Sequence, residues 1–229
     1  MSRESMAGAI SEKRQQRALQ RARTMGALPA VEEATNDPRF AEALNRIVQA
    51  RRSGEEKINL SKMGLSSLPG ELCKAAKLLT LHVQQNELTA LPVSIGQLSS
   101  LQTLDAGSNK LEALPVTRAG QFGSLQRLHV QNNKLTGLPF TIGQLVSLQE
   151  LHASINQLAS LPAEVGLLRS LQTLSVACNK LTELPPEIGQ LNALRTLDVY
   201  DNALTALPRE IGQLESLQTL VVHSNKVTD

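Results

Sequence analysis

One nine-residue phrase, Leu-x-x-Leu-x-Leu-x-x-Asn, returns along most of this chain and leaves little choice of architecture. A clear copy runs from Leu101 through Leu104 and Ala106 to Asn109. Its asparagines fall at Asn86, Asn109, Asn133, Asn156, Asn179, Asn202 and Asn225, a spacing of 23 residues at every step except one of 24. A unit this short cannot bury its apolar side alone, so successive units must stack. The expectation is an α/β solenoid with a curved parallel sheet on the concave face and short helical or 3₁₀ turns on the convex face.

After each asparagine comes a return path of the form Leu-x-x-Leu-Pro-x-x-Ile-Gly-x-Leu, as in Leu88, Leu91, Pro92, Ile95, Gly96 and Leu98. Pro92, Pro139, Pro162, Pro185 and Pro208 fix φ and cannot donate to a ladder, which ends each strand and forbids a long helix. The asparagines mark the inward turn, where buried backbone groups lack ladder partners and an amide can both donate and accept. An unpaired buried polar group costs roughly 1–3 kcal/mol, so this asparagine ladder is a structural requirement.

The chain divides into three parts. Residues 1–36 form a flexible or partly helical basic tail, in which Lys13, Arg14, Arg17, Arg21 and Arg23 have no apolar face behind them. A solvated tail, a docking segment and a targeting peptide all remain open for it, although Glu4 and Glu12 interrupt the last. Residues 37–54 read as a capping helix: Asp37 suits the N-cap, Pro38 the first turn, and Gly54 the C-terminus. Phe40, Leu44, Ile47 and Val48 are expected on its buried face, laid over the open end of the first repeat.

Residues 55–229 are the solenoid. A degenerate first repeat, 55–77, has Ile58 and Leu60 in place of strand leucines and Met63 at the asparagine position. Full repeats begin at Leu78, Leu101, Leu125, Leu148, Leu171 and Leu194, and a partial repeat covers 217–229. The second full repeat is one residue longer, placing Ala119 and Phe122 at the isoleucine and leucine positions and predicting a convex bulge. The chain stops in mid-repeat after Leu217, Leu220 and Val222. This predicts either a parent that continues past Asp229 or end-to-end self-association through an uncapped last repeat.

Charge narrows the partners. Residues 1–57 carry 11 basic and 8 acidic side chains of the total 23 and 21, leaving 12 and 13 for the solenoid. A neutral solenoid argues against nucleic acid, which demands clustered Lys and Arg. No run is long and apolar enough to span a membrane. Neither phosphate loops, metalloprotease helices, nucleophile elbows nor Cys-x-x-Cys pairs occur, so no enzymatic activity and no cofactor are expected.

Function must then lie in positions that the repeat leaves free. Side chains alternate across a strand, so the third, fifth, seventh and eighth positions of each phrase are expected on the concave face. The predicted partner-binding residues are His82, Asp105, Arg127, His129, Glu150, His152, Asp198, Tyr200, Asp201 and His223, with Arg127 and Tyr200 as anchors. Histidines sharing one column, His82, His129 and His152, are of a type that can share a metal; a flat exposed sheet offers them little support, and no metal is expected. Charging of His129 and His152 together on acidification, partly offset by Asp105 and Glu150, is expected ahead of a metal, with ordinary solvated polar residues as the alternative for that column.

Over residues 55–229 the unit Leu-Pro-x-x-Ile-Gly-x-Leu resembles the intracellular Ras-group leucine-rich repeat proteins, including plant Ras-group-related and animal Ras-suppressor types. The segment Ser53-Gly54 to Ile58-Asn59-Leu60-Ser61, then Gly64-Leu65 and Leu68-Pro69, is similar to the first repeat of small cytosolic members. The resemblance implies a non-catalytic scaffold or adaptor in signalling that binds other proteins through the concave face. Similar repeats also sit beside kinase, GTPase or ubiquitin ligase domains, so a targeting module for an enzyme encoded beyond Asp229 is the alternative. Secreted relatives commonly close their ends with disulfides; Cys73 and Cys178 lie too far apart to bridge, which favours a cytoplasmic location.

Overall fold

The computed structural model describes residues 37–115 and 121–227. The basic tail of residues 1–36 and the expected bulge around Ala119 lie outside the described residues. Helix α1 (Pro38–Ser53) comes first. Eight three-residue strands follow: β1 (Lys57–Asn59), β2 (Thr80–His82), β3 (Thr103–Asp105), β4 (Arg127–His129), β5 (Glu150–His152), β6 (Thr173–Ser175), β7 (Thr196–Asp198) and β8 (Thr219–Val221). They form one parallel sheet in chain order, the order required when each repeat stacks only on its neighbours.

The register shows why the leucines repeat. Ile58 pairs with Leu81, Leu81 with Leu104, Leu104 with Leu128, and so on to Leu197 with Leu220. Each strand's middle side chain therefore lies on its counterpart in the next strand, and from Leu81 to Leu197 all are buried. Between β3 and β4 the offset is 24 residues, yet Leu104 still meets Leu128, so the extra residue is absorbed outside the strands.

Short 3₁₀ helices carry the return paths: η1 (Gly70–Lys74), η2 (Val93–Gln97), η3 (Phe140–Gln144), η4 (Ala163–Leu167), η5 (Pro186–Gln190) and η6 (Arg209–Gln213). A proline precedes each, and its carbonyl accepts the first turn's bond, as from the Ile142 N–H to Pro139 at 2.9 Å. In three of the Ile-Gly or Val-Gly pairs the glycine is set by close approach to the next repeat's backbone. A Cβ on Gly143, Gly166 or Gly189 would lie 2.6, 2.5 or 2.6 Å from the carbonyl oxygen of Glu164, Glu187 or Glu210 in the next repeat.

The asparagines tie the repeats together. Asn86 Oδ1 accepts the Met63 and Leu65 N–H groups, both at 3.0 Å, while its Nδ2 donates to the Leu60 and Val83 carbonyls, both at 2.8 Å. The same pattern recurs with Leu88 on Asn109, Leu111 on Asn133, Leu135 on Asn156, Leu158 on Asn179, Leu181 on Asn202 and Leu204 on Asn225. Met63, lacking an amide, packs half-buried against the core.

In α1, Asp37 Oδ1 accepts the Arg39 N–H at 2.9 Å, an N-cap bond. At the other end Gly54 has φ 72° and the Glu55 N–H reaches the Ala50 carbonyl at 2.9 Å, closing a Schellman turn. The buried face differs from the expected one. Ala43, Ile47 and Ala50 are buried, whereas Phe40, Leu44 and Val48 are only half-buried. The smaller alanines lie innermost, letting the helix backbone come close to the first rung. At the far end Leu220 is 37% exposed, against 0% for Leu197.

Candidate functional site

The first and third residues of each strand point away from the leucine core and make an open, polar sheet face. On this face the expected site residues contact one another in local groups. At the centre, register places His129 opposite His152, and their rings meet edge to face with centroids 4.8 Å apart. Glu150 lies two residues before His152 on the same strand face. Its Oε2 is 3.6 Å from His129 Nε2 and 3.9 Å from His152 Nε2.

Arg127 is the register partner of Glu150, yet its Nε donates to Thr103 Oγ1 at 3.1 Å, toward the preceding repeat. Next to it, His82 Nδ1 is 3.9 Å from Asp105 Oδ2. Asp105 Oδ1 in turn accepts the Gly107 N–H at 3.1 Å, as Asp198 Oδ1 accepts that of Tyr200 at 3.1 Å. Asn59 does the same for Ser61 at 2.9 Å. The fifth-position aspartates therefore shape the turn that leaves the strand, a backbone role beside whatever they offer a ligand.

Beyond β5 a hydroxyl relay crosses the face. Ser154 and Ser175 Oγ atoms are 2.7 Å apart, and Ser175 donates to Asp198 Oδ2 at 3.0 Å. Tyr200 packs against His223 with ring centroids 4.6 Å apart. Burial and the neighbouring His129 push the His152 imidazole below its usual pKa, with Glu150 and Asp198 opposing. Burial and the Asp201 carboxylate push the Cys178 thiol up, so it is a poor nucleophile at neutral pH.

The eighth position of the phrase corrects the sequence reading. Strands are only three residues long, so alternation ends before it, and Gln85, Ser108, Asn132, Ile155, Cys178, Asp201 and Ser224 all take left-handed φ of 51–57°. Asp201 thus stands on a turn beside the sheet. Ile155 is the outlier of this column: a β-branched residue at φ 56° and 55% exposed. Such a residue resists this conformation, and an exposed apolar side chain gains nothing there from the core. Its signal was an apolar residue in a column otherwise small or polar.

Residues 61–157 and 154–229 match a family model described as a leucine-rich repeat region. Among solved structures, a leucine-rich repeat protein of Leptospira interrogans is 35% identical, covering 78% of this chain and 57% of that one with a TM-score of 0.59. The leucine-rich repeat ectodomain of the Arabidopsis thaliana membrane receptor kinase GASSHO1/SCHENGEN3, solved in complex with Casparian strip integrity factor 2, is 36% identical. That match covers 69% of this chain and 20% of the ectodomain, with a TM-score of 0.63. The Toll–Spätzle complex of Drosophila is alike in fold alone, at 23% identity, 72% and 24% coverage and a TM-score of 0.67. The chain therefore spans little more than half of the first relative and a fifth of the second. A search of curated proteins returned no match.

Proposed function

Since the chain belongs to the leucine-rich repeat family, we propose that it is a protein–protein interaction module, a non-catalytic scaffold or adaptor whose open sheet face binds other proteins. The observation that carries this reading is the contrast between an invariant leucine interior and an open face on which Arg127, Glu150, His152 and Tyr200 break the repetition. Arg and Tyr are residue types that often dominate binding energy, because each offers a large contact area with a polar end. The GASSHO1 ectodomain supports it as a similar repeat array solved with a bound protein factor.

The finer reading is an intracellular signalling role of the Ras-group type, in the cytoplasm. It is supported by the Leu-Pro-x-x-Ile-Gly-x-Leu unit and by Cys73 and Cys178 being free thiols. No described helix is long and apolar enough to cross a membrane. That GASSHO1 is a receptor kinase supports a second reading, in which these repeats are the recognition part of a larger enzyme. Exposure of Leu220 supports end-to-end association of this chain, for which light scattering across a concentration series is the check.

The binding face is tested by quantitative capture from native lysate with the immobilised chain and its Arg127→Ala/Tyr200→Ala variant. A defined set of proteins retained by the first and lost from the second is expected. Identical capture by both would move the binding surface off this face.

A further inference from the structure

His129, Glu150 and His152 converge on one another without bonding. Among the described residues they are the one group of three or more metal-ligating side chains whose donor atoms lie close together, all within 4.8 Å. At 3.6 and 3.9 Å, the carboxylate oxygen is too far from either imidazole nitrogen for a hydrogen bond. His129 Nε2 is fully buried and has no hydrogen-bond partner among the described residues. A buried polar atom without a partner is uncommon and asks for one. Arg127, the cation best placed to neutralise Glu150, is instead bonded to Thr103.

We propose that His129 Nε2, Glu150 Oε2 and His152 Nε2 form a binding site for a divalent transition-metal ion of the zinc type. Two imidazoles and one carboxylate are a donor set that zinc takes, with bonds of about 2.0–2.2 Å. Donors around a tetrahedral ion with such bonds are separated by about 3.4 Å, so the 3.6 Å pair is nearly in place. No two donor atoms are more than 4.8 Å apart, so the widest separation closes by at most about 1.4 Å, shared between two side chains that rotate about χ1 and χ2.

The sheet supplies the geometry: pairing of β4 with β5 fixes His129 beside His152, and strand alternation brings Glu150 to the same face. Three protein donors leave one position for water, because all three residues are only half-buried. The sequence argued against a metal because a flat exposed sheet offers a column of histidines little support, and it did not show the diagonal approach of Glu150 to His129.

Isothermal calorimetry with zinc chloride at pH 7.5 tests the site on the full 229-residue chain. One ion per chain is expected, with affinity lowered about tenfold or more by His129→Ala, His152→Ala or Glu150→Gln. His82→Ala, on a neighbouring histidine, leaves it unchanged. Glu150→Gln is isosteric and keeps the test alive should a histidine variant fail to fold. Imidazole NMR signals of His129 and His152 should shift together on zinc addition. Binding that survives in all three variants, or the absence of heat and of imidazole shifts, overturns the site. None of these outcomes depends on a protein partner, so they stand apart from the capture experiment.

Discussion

The two faces of the same strands obey opposite rules. On the inner face the middle residues Leu81, Leu104, Leu128, Leu151, Leu174 and Leu197 are identical and buried, because each one's neighbour is its own copy in the next repeat. A side chain of another size there would misfit two rungs at once. On the outer face the flanking residues run through Thr, Arg, Glu, His, Asp, Ser and Val, since the leucine core sets no size there and only local contacts, such as the Asp105 bond to the Gly107 N–H, hold some of them. Repetition therefore records what folding requires, and its interruption records what folding leaves to other uses.

The largest expected effect lies inside. Leu151→Ala removes a fully buried side chain between Leu128 and Leu174 and should cost roughly 2–5 kcal/mol, read from the denaturant midpoint. An effect no larger than that of an outer-face substitution on the same strand would break the contrast.

Next comes the turn that joins the faces. Asn156→Leu deletes the bond from the Leu135 N–H and those to the Val130 and Ala153 carbonyls, leaving buried groups unpaired. The expected cost is roughly 1–3 kcal/mol, with faster amide exchange at Leu135. Unchanged exchange there would mean that the ladder is ornamental to the stack.

Much of this was legible before any coordinates. The 23-residue spacing dictated the strand register, the prolines placed the 3₁₀ turns, and Asp37, Pro38 and Gly54 marked the ends of α1. What was not legible depends on lengths and angles rather than on order. Strand length decided that the eighth position is a left-handed turn, which no pattern of alternation foretells. The diagonal contact of Glu150 with His129 depends on sheet twist and rotamers, whereas spacing reports only columns. The alanines of α1 lie innermost because close packing favoured small residues over the larger Leu44 and Val48 that periodicity selects.

Ile155 sharpens the contrast at the smallest scale. Ile155→Asn places at φ 56° a residue that adopts the left-handed region readily, and it should stabilise the chain by about 1 kcal/mol. Thermal unfolding measures this directly. A destabilised variant would show that the isoleucine packs usefully on the outer face despite its strain.

The central claim is that folding and recognition occupy separate faces, and one chain tests it most directly. The Arg127→Ala/Tyr200→Ala variant should unfold at the midpoint of the parent chain while losing the proteins that the parent captures. A variant that unfolds as early as Leu151→Ala, or one that captures the same proteins as the parent, would contradict the separation.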